Sequence, residues 1–244
     1  LASGMAAAST AVFSTIKAGS HVVCLKNAYG PLKDLLTGYC REHMNVETTF
    51  VKGVEVSEFE AVITDKTDLV VLESPSSLVF SLQDIRKVSE IAHAHQAKVY
   101  IDNTYCTPLY QKPLDMGADI VMHTTSKYIG GHSDVIGGML VTKDPELFAK
   151  LLHNRELFGG IVGPMEAWLM IRGLRTMAAR LEQHQKTAME VAKFLEEQPM
   201  VEKVYYPGLP SHPQYELMKQ QQTGNCGLLS FELKGTLEQA VRFA

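Results

Sequence analysis

The 244-residue sequence is poor in cysteine and has a single tryptophan, and no segment of it is long and uniformly apolar. Its four cysteines, Cys24, Cys40, Cys106 and Cys226, are far apart and form neither a CxxC pair nor a metal-type spacing, which indicates a reducing compartment. No apolar run approaches the ~18 residues that cross a bilayer, and no secretory leader pattern is visible. We therefore expect a cytoplasmic protein without a membrane partner.

Runs of basic residues are also missing. The 23 Lys and Arg residues against 27 Asp and Glu give a net charge of -4, so the basic surface that nucleic-acid binding normally needs is not expected. The motifs GxGxxG, GxxxxGK[ST], HExxH and GxSxG are absent, which removes the main sequence support for four common enzyme classes. His93 and His95 are two residues apart on a predicted helix and point to different faces, so we predict no metal site.

Apolar residues are plentiful. With 45% hydrophobic and 20% charged residues, the chain can bury a sizeable core, which excludes general disorder. Short β-branched runs alternate with amphipathic segments, a pattern typical of an α/β fold with a mostly parallel sheet. The strands are predicted over residues 21–25, 46–51, 69–73, 98–102, 119–123 and 135–141. A helix opening at residues 81–84 and running to about residue 95 presents Ile85, Val88, Ile91 and Ala92 as the face that covers the sheet.

The amino-acid composition changes after a Gly-rich loop at residues 158–164. A long helical stretch from about residue 165 to residue 198 is richer in Ala, Glu, Lys and Met than the preceding chain. We predict a large domain over residues 1–178 and the start of a smaller C-terminal α/β domain over residues 179–244. Since both termini fall inside helical patterns, we expect the natural chain to extend further at both ends.

Polar side chains stand at or directly after the ends of three consecutive predicted strands. They are Glu73, Asp102 and the segment Thr124-Thr125-Ser126-Lys127. In open α/β sheets, ligands bind outside the carboxyl ends of the strands. Lys127 follows three hydroxyl groups and precedes the glycines of Gly130-Gly131, which let the backbone approach a ligand closely. A partly desolvated lysine in such a place becomes a nucleophile able to form a Schiff base, although an ordinary solvated loop lysine is the alternative.

An aldehyde cofactor that carries a phosphate would account for the neighbouring residues. The segment Ser3-Gly4-Met5 opens a helix, and free N–H groups at a helix N-terminus bind anions. The hydroxyls of Thr124 and Ser126 could complete that phosphate site. Ser3 could equally be a plain N-cap.

Two further residues suit a pyridine ring. Asp102, at a strand end, could keep a ring nitrogen protonated, which lets the ring act as an electron sink. Tyr29 could stack on the ring and supply a phenol for proton transfer. Taken alone, Asp102 could be a turn or cap residue and Tyr29 a core or turn aromatic.

Seven segments in order then resemble a known family: Ser3-Gly4-Met5, Tyr29-Gly30, Glu73-Ser74-Pro75, Asp102-Asn103-Thr104, the segment from Ser126 to Asp134, the segment from Trp168 to Thr176, and Tyr206-Pro207-Gly208-Leu209 with His212-Pro213. Over essentially the whole chain, the sequence resembles the pyridoxal 5'-phosphate (PLP) enzymes of cysteine and methionine metabolism, the trans-sulfuration family. Its members include cystathionine β-lyase, cystathionine γ-lyase, cystathionine γ-synthase and methionine γ-lyase.

The resemblance implies a large domain of the aspartate-aminotransferase-like fold type I and a small-molecule sulfur amino acid as substrate. It also implies a homotetramer built from dimers with shared active sites. By the same resemblance, Lys127 is the Schiff-base lysine, Asp102 the partner of the pyridine nitrogen, and Tyr29 the stacking and acid–base tyrosine. The phosphate contacts would be Gly4, Met5, Thr124 and Ser126, with Ser3 beside them.

The sequence also departs from the family pattern. Ser77-Leu78 stands where the family usually has Asn-Pro, and the Asn normally bonds the phenolic oxygen of the cofactor. Pro31 stands where methionine γ-lyases carry a cysteine, which ranks that activity lower. A tyrosine and an arginine upstream and a substrate-binding arginine downstream fall outside this sequence.

A carbon–sulfur lyase that performs β- or γ-elimination is therefore the leading hypothesis. The alternatives are γ-replacement on an O-acyl homoserine, a truncated non-catalytic relative, and an aminotransferase-like enzyme.

Overall fold

In a computed structural model that describes residues 1–243, the chain forms two β-sheets flanked by helices. The strands are β1 His21–Leu25, β2 Glu47–Val51, β3 Thr67–Glu73, β4 Lys98–Asp102, β5 Ile120–Thr124, β6 Gly138–Val141, β7 Val201–Tyr205 and β8 Ser230–Leu233. The helices are α1 Gly4–Thr15, α2 Gly30–Asp34, α3 Arg41–Met44, α4 Val56–Glu60, α5 Ile85–Ala94, α6 Thr107–Tyr110, α7 Pro145–Leu157, α8 Pro164–Leu174, α9 Met177–Glu196, α10 Tyr215–Gln221 and α11 Leu237–Phe243. A π-helical segment, Leu35–Cys40, joins α2 to α3, and a 3-10 turn, Pro113–Met116, precedes β5.

The larger sheet has the strand order β2-β1-β3-β4-β5-β6. Its first five strands are parallel and β6 is antiparallel to β5, which confirms the predicted mostly parallel α/β sheet. In β3, the run from Leu69 to Leu72 is fully buried. Such a continuous apolar run is characteristic of a parallel strand covered by helices on both faces.

Helix α5 shows why the sequence forms this layer. The side chain of Asp84 caps the helix by accepting a hydrogen bond from the Lys87 N–H at 3.1 Å. Ile85, Val88 and Ala92, at helical spacing, are completely buried. The predicted covering face is therefore buried at these three positions and partly buried at Ile91, and the helix begins at Ile85, directly after the predicted opening.

The prediction of one long helix from residue 165 to residue 198 is wrong, because α8 ends at Leu174 and α9 begins at Met177. The Gly173 carbonyl accepts a hydrogen bond from the Arg180 guanidinium at 2.8 Å and another from the Thr176 N–H at 3.2 Å. Arg180 also donates to the Thr176 hydroxyl at 3.0 Å. These contacts divert a helix carbonyl from the regular ladder and break the helix.

Strands β7 and β8 form a separate antiparallel sheet, and both lie after residue 178. Glutamines from the chain around them bond to the start of α5 and the residues just before it, and α5 packs on the larger sheet. The Gln214 side chain donates to the Leu82 carbonyl at 2.6 Å and accepts from the Leu82 N–H at 2.8 Å, and Gln221 accepts from the Ile85 N–H at 2.8 Å. The domain boundary near residue 178 stays a prediction. Within residues 1–243, no helix is both long enough and apolar enough to span a membrane.

Strand order also shows where a ligand can bind. From β1 the chain moves to β2 on one side and then to β3 on the other, so the topology reverses between β1 and β3. Crevices open at such switch points, outside the carboxyl ends of the parallel strands. The ends of β1, β3, β4 and β5 lie along this edge.

Candidate functional site

The N-terminus of α1 forms one end of the site. The Ser3 hydroxyl accepts a hydrogen bond from the Ala6 N–H at 2.9 Å, as an N-cap does. Among residues 1–243, the N–H groups of Gly4 and Met5 have no hydrogen-bond partner. A Cβ atom on Gly4 would lie only 2.6 Å from Thr124 Oγ1, so the helix begins in direct contact with the end of β5.

Two hydroxyls from the end of β5 face this helix start. Thr124 Oγ1 lies 3.5 Å from Ser126 Oγ and donates to the Gly137 carbonyl at 3.3 Å. Ser126 Oγ accepts from the Gly137 N–H at 3.0 Å. The structure thus brings together the predicted phosphate residues Gly4, Thr124 and Ser126. Two free N–H groups on a 12-residue helix and two hydroxyls form a donor set suited to an anion.

Two acids lie side by side at the ends of neighbouring strands. Glu73 and Asp102 are paired in the register of β3 and β4. Burial raises the pKa of Asp102, although a hydrogen bond from the Thr104 N–H at 2.9 Å opposes this. Burial and the neighbouring Asp102 charge raise the pKa of Glu73 to about 7. A buried acid with a raised pKa gains most from a cationic partner, such as a protonated ring nitrogen.

Tyr29 lies between β1 and α2. Its backbone N–H donates to Glu73 Oε2 at 2.7 Å, and its side chain is 47% exposed. The structure therefore holds the Tyr29 main chain against the acid pair while the aromatic ring stays accessible.

Lys127 lies in the turn that follows β5. Its N–H donates to the Thr124 carbonyl at 3.4 Å, and its carbonyl accepts from the Gly131 N–H at 2.7 Å. The side chain is exposed, and its amine has no hydrogen-bond or ion-pair partner within residues 1–243. Within residues 1–243 the Lys127 side chain is exposed, so the partial desolvation expected from the sequence is not seen there.

Helix α8 packs against the turn that contains Lys127. A Cβ atom on Gly173 would lie 2.3 Å from the carbonyl oxygens of Ile129 and Gly130, so only glycine allows this approach. Arg172 forms an ion pair with Asp134 at 2.7 Å. The Ser126 to Asp134 segment therefore acts as a turn braced by the helix.

Sequence reasoning gave no role to Thr104, which joins two parts of the site. Its N–H donates to Asp102, and its hydroxyl accepts from the Thr124 N–H at 2.8 Å. A threonine two residues after an aspartate is a common turn signal and could have suggested the first bond. The second bond depends on the pairing of β4 with β5, which no local pattern specifies.

A buried amide network also went unnoticed. Gln111 donates to the Ser74 carbonyl at 2.8 Å and to Asn103 Oδ1 at 2.9 Å, and Gln222 donates to Gln111 Oε1 at 3.1 Å. It links the loops after β3 and β4 to residues beyond α10.

Comparison with known proteins agrees with this geometry. The profile of the family described as "Cys/Met metabolism PLP-dependent enzyme" matches residues 1–244. A cystathionine gamma-lyase of Dictyostelium discoideum is 39% identical over 242 residues, covering 99% of this chain and 62% of that protein. An L-methionine gamma-lyase of Porphyromonas gingivalis is 44% identical over 238 residues, covering 97% of this chain and 59% of that protein. Cystathionine gamma-synthases and a cystathionine beta-lyase match as well.

Among solved structures, metB from Corynebacterium glutamicum superposes with a TM-score of 0.96 at 38% identity. The alignment covers 99% of this chain and 63% of that one. The predicted fold type I architecture is thereby confirmed. The chain spans about three fifths of these relatives' length, 62% of the first and 59% of the second.

Proposed function

Because the chain belongs to the Cys/Met metabolism PLP-dependent enzymes, we propose that it is part of a PLP-dependent carbon–sulfur lyase. The substrate is cystathionine or a related sulfur amino acid, and the reaction is a β- or γ-elimination. The observation that carries this proposal is the assembly of an anion site, a buried acid pair and an unpaired lysine along one sheet edge.

The phosphate of PLP fits the start of α1. The free N–H groups of Gly4 and Met5 and the hydroxyls of Thr124 and Ser126 would hold it, with Ser3 fixing the first turn of the helix. The close approach of Gly4 to Thr124 supports this fit, since a side chain on residue 4 would fill the space beside the hydroxyl.

The ring of PLP fits the acid pair. Asp102 would bind the pyridine nitrogen, because a cationic partner relieves the cost of burying its charge. PLP, when bound, supplies an electron sink that stabilises negative charge on the substrate's α-carbon. Tyr29, whose ring is accessible, would stack on the cofactor and hold a proton on its phenol oxygen.

Lys127 would carry the proton transfers. Its Nζ would hold the aldehyde end of the cofactor and, when free, would take the proton from the substrate's α-carbon. The braced turn supports this role, because it fixes the backbone while the side chain stays free to move.

γ-Replacement on an O-acyl homoserine is the second candidate. Relatives with lyase names and with synthase names match at similar identity, so similarity does not separate the two reactions. Pro31, in the first turn of α2, stands where a methionine γ-lyase would have a cysteine, which ranks methionine below cystathionine as substrate.

The proposal extends to assembly and location. On α8, Met165, Trp168 and Ile171 are 63%, 58% and 56% exposed and recur every three residues, which supports burial against another subunit of a homotetramer. Four unpaired cysteines support a cytoplasmic location.

Reduction with borohydride tests the central residue. Peptide mass spectrometry of the reduced, cofactor-loaded protein should find the pyridoxyl group on the peptide that contains Lys127. Lys127→Ala should lose both the label and the visible absorbance of the lysine-bound cofactor. Lys143→Ala, which removes an exposed lysine paired with Asp115, should keep both. A label on another lysine, or on none, would refute the proposal.

Product analysis then separates the reactions. Release of a keto acid and a thiol or amino acid from cystathionine would support the lyase. Formation of cystathionine from cysteine and an O-acyl homoserine would support the synthase. Bound cofactor without either reaction would support the non-catalytic alternative.

A further inference from the structure

Glu73 is the one acid at the sheet edge to which the proposed reaction gives no role. It ends β3, next to β1 at the point where the sheet topology reverses. Tyr29 follows β1 on the other side of that point. The two residues therefore meet directly beside the crevice in which a ligand of this fold binds, with the Tyr29 N–H 2.7 Å from Glu73 Oε2.

Both oxygens of the Glu73 carboxylate are used, by two different loops. Oε2 accepts the Tyr29 N–H at 2.7 Å, and Oε1 accepts the Ser77 hydroxyl at 2.5 Å. Ser77 stands where the family usually has an asparagine directed at the cofactor. In this chain its hydroxyl is engaged by Glu73 instead.

The contact to Tyr29 orients the chain before α2. Tyr29 is the residue that precedes the helix, and its own side chain makes no capping bond. A carboxylate that capped α2 would bind the N–H groups of the first helical turn, whereas Glu73 binds the N–H ahead of that turn. The bond therefore fixes where the Tyr29 backbone, and with it the ring, enters the site.

We propose that Glu73 and Ser77 are positioning residues for Tyr29: the Glu73 carboxylate holds the Tyr29 main chain, and the Ser77 hydroxyl orients that carboxylate. The role of Tyr29 toward the cofactor rests on the function proposed above, but the clamp itself is a property of the chain.

The clamp also tolerates a change of protonation. The titratable groups around Glu73 are Asp102 and Tyr100 on β4, Cys24 on β1 and Tyr29 before α2, and Lys33 of α2 lies near Cys24. Burial and Asp102 raise the pKa of Glu73 to about 7, and the Ser77 hydrogen bond lowers it. A proton on Oε1 can be donated to the Ser77 oxygen, because a hydroxyl both donates and accepts. Oε2 then still accepts from Tyr29, through a weaker bond that has lost its charge assistance.

Hydrogen exchange of the Tyr29 amide tests the clamp directly. It is measured by mass spectrometry on the whole, cofactor-free protein, with overlapping peptides and correction for the intrinsic pH dependence of exchange. Protection should fall about five-fold as the pH decreases through about 7, since a bond to a charged acceptor is stronger than one to a neutral acceptor. Glu73→Gln should remove the step and show at pH 8 the low protection of the parent at pH 6. Ser77→Ala should move the midpoint to higher pH.

Glu58→Gln is the matched control. Glu58 also accepts backbone N–H groups, from Lys52, Val54 and Glu55, but it lies in the first turn of α4. This variant should leave the Tyr29 profile unchanged. Equal Tyr29 protection in Glu73→Gln and the parent at pH 8, or a step that survives in Glu73→Gln, would overturn the clamp.

Cofactor affinity provides the second readout. At pH 8, Glu73→Gln should bind PLP about five-fold more weakly than the parent, and Glu58→Gln should bind it equally well. An exchange step without any change in PLP affinity would overturn the positioning role. A parent protein that binds no PLP would instead refute the proposed function, and the exchange profile would still decide the clamp.

Discussion

Replacing Gly4 with alanine tests the closest contact of the candidate phosphate site. A Cβ atom on residue 4 would lie 2.6 Å from Thr124 Oγ1 and 2.8 Å from Thr124 Cβ. Both distances are well inside van der Waals contact. Thr124 cannot easily move away, because its side chain is β-branched and its backbone belongs to β5.

The expected cost follows from two opposing effects. Forcing a methyl group into a packed contact costs roughly 1–3 kcal/mol. Alanine in a helix gains up to about 1 kcal/mol over glycine. We therefore expect Gly4→Ala to lower the free energy of unfolding by about 1–2 kcal/mol. We also expect it to weaken PLP binding at least about ten-fold, because either the helix start or the Thr124 hydroxyl must shift.

Gly38→Ala is the matched control, since nothing lies within 4 Å of a Cβ atom built on Gly38 and its φ is not positive. This variant should be as stable as the parent or up to about 1 kcal/mol more stable, with unchanged affinity. Urea unfolding followed by circular dichroism measures the first quantity, and titration with PLP measures the second. If Gly4→Ala matched Gly38→Ala in both, the contact between α1 and β5 would not be as described.

Three further outcomes are expected. Tyr128→Phe should lower the free energy of unfolding by about 1 kcal/mol in urea titrations, because the Tyr128 hydroxyl accepts the Gly227 N–H at 3.1 Å; a loss below about 0.3 kcal/mol would contradict this. Burial lowers the pKa of His123 to about 4, so the stability it contributes is complete above its unfolded pKa of 6.5 and is lost as the pH falls toward 4. Between pH 6.5 and pH 4, the free energy of unfolding of His123→Gln should fall by up to about 3 kcal/mol less than that of the parent. A urea midpoint that changes with pH equally in the variant and the parent would contradict this. Trp168→Asp should dissociate the proposed tetramer in sedimentation velocity, and an unchanged sedimentation coefficient would remove α8 from the interface.

Features of the fold that depend on local patterns were predictable. The β-branched runs located all six strands of the larger sheet to within a few residues, and the Asp84 cap located α5. The break between α8 and α9 was not predictable, because it is accompanied by a hydrogen bond from the Arg180 side chain to the Gly173 carbonyl, seven positions away. Helical periodicity continues across such a break, since only one turn is disturbed.

In the candidate site, too, the features that depend on local patterns were predictable and those that depend on long-range contacts were not. Ser3 and Gly4 are recognisable as a helix start, and the strand-end position of Asp102 follows from its sequence neighbours. The bonds of Thr104 to β5 and of Glu73 to Tyr29 join residues 20 and 44 positions apart. Such bonds require the strand order of the sheet, which a one-dimensional pattern does not contain.

The substitution at residue 77 gains its meaning only from this long-range geometry. In the sequence alone, Ser77 is a departure from the asparagine that the family usually has, and it counts against a catalytic function. In the structure its hydroxyl lies 2.5 Å from Glu73, which in turn holds the Tyr29 backbone. Because a serine can donate to a charged carboxylate and accept from a neutral one, it suits an acid whose pKa is raised to about 7. The departure at residue 77 is thus compatible with an ordered Tyr29. A serine there acts on the position of the Tyr29 ring, through Glu73, and not on the phenolic oxygen of the cofactor.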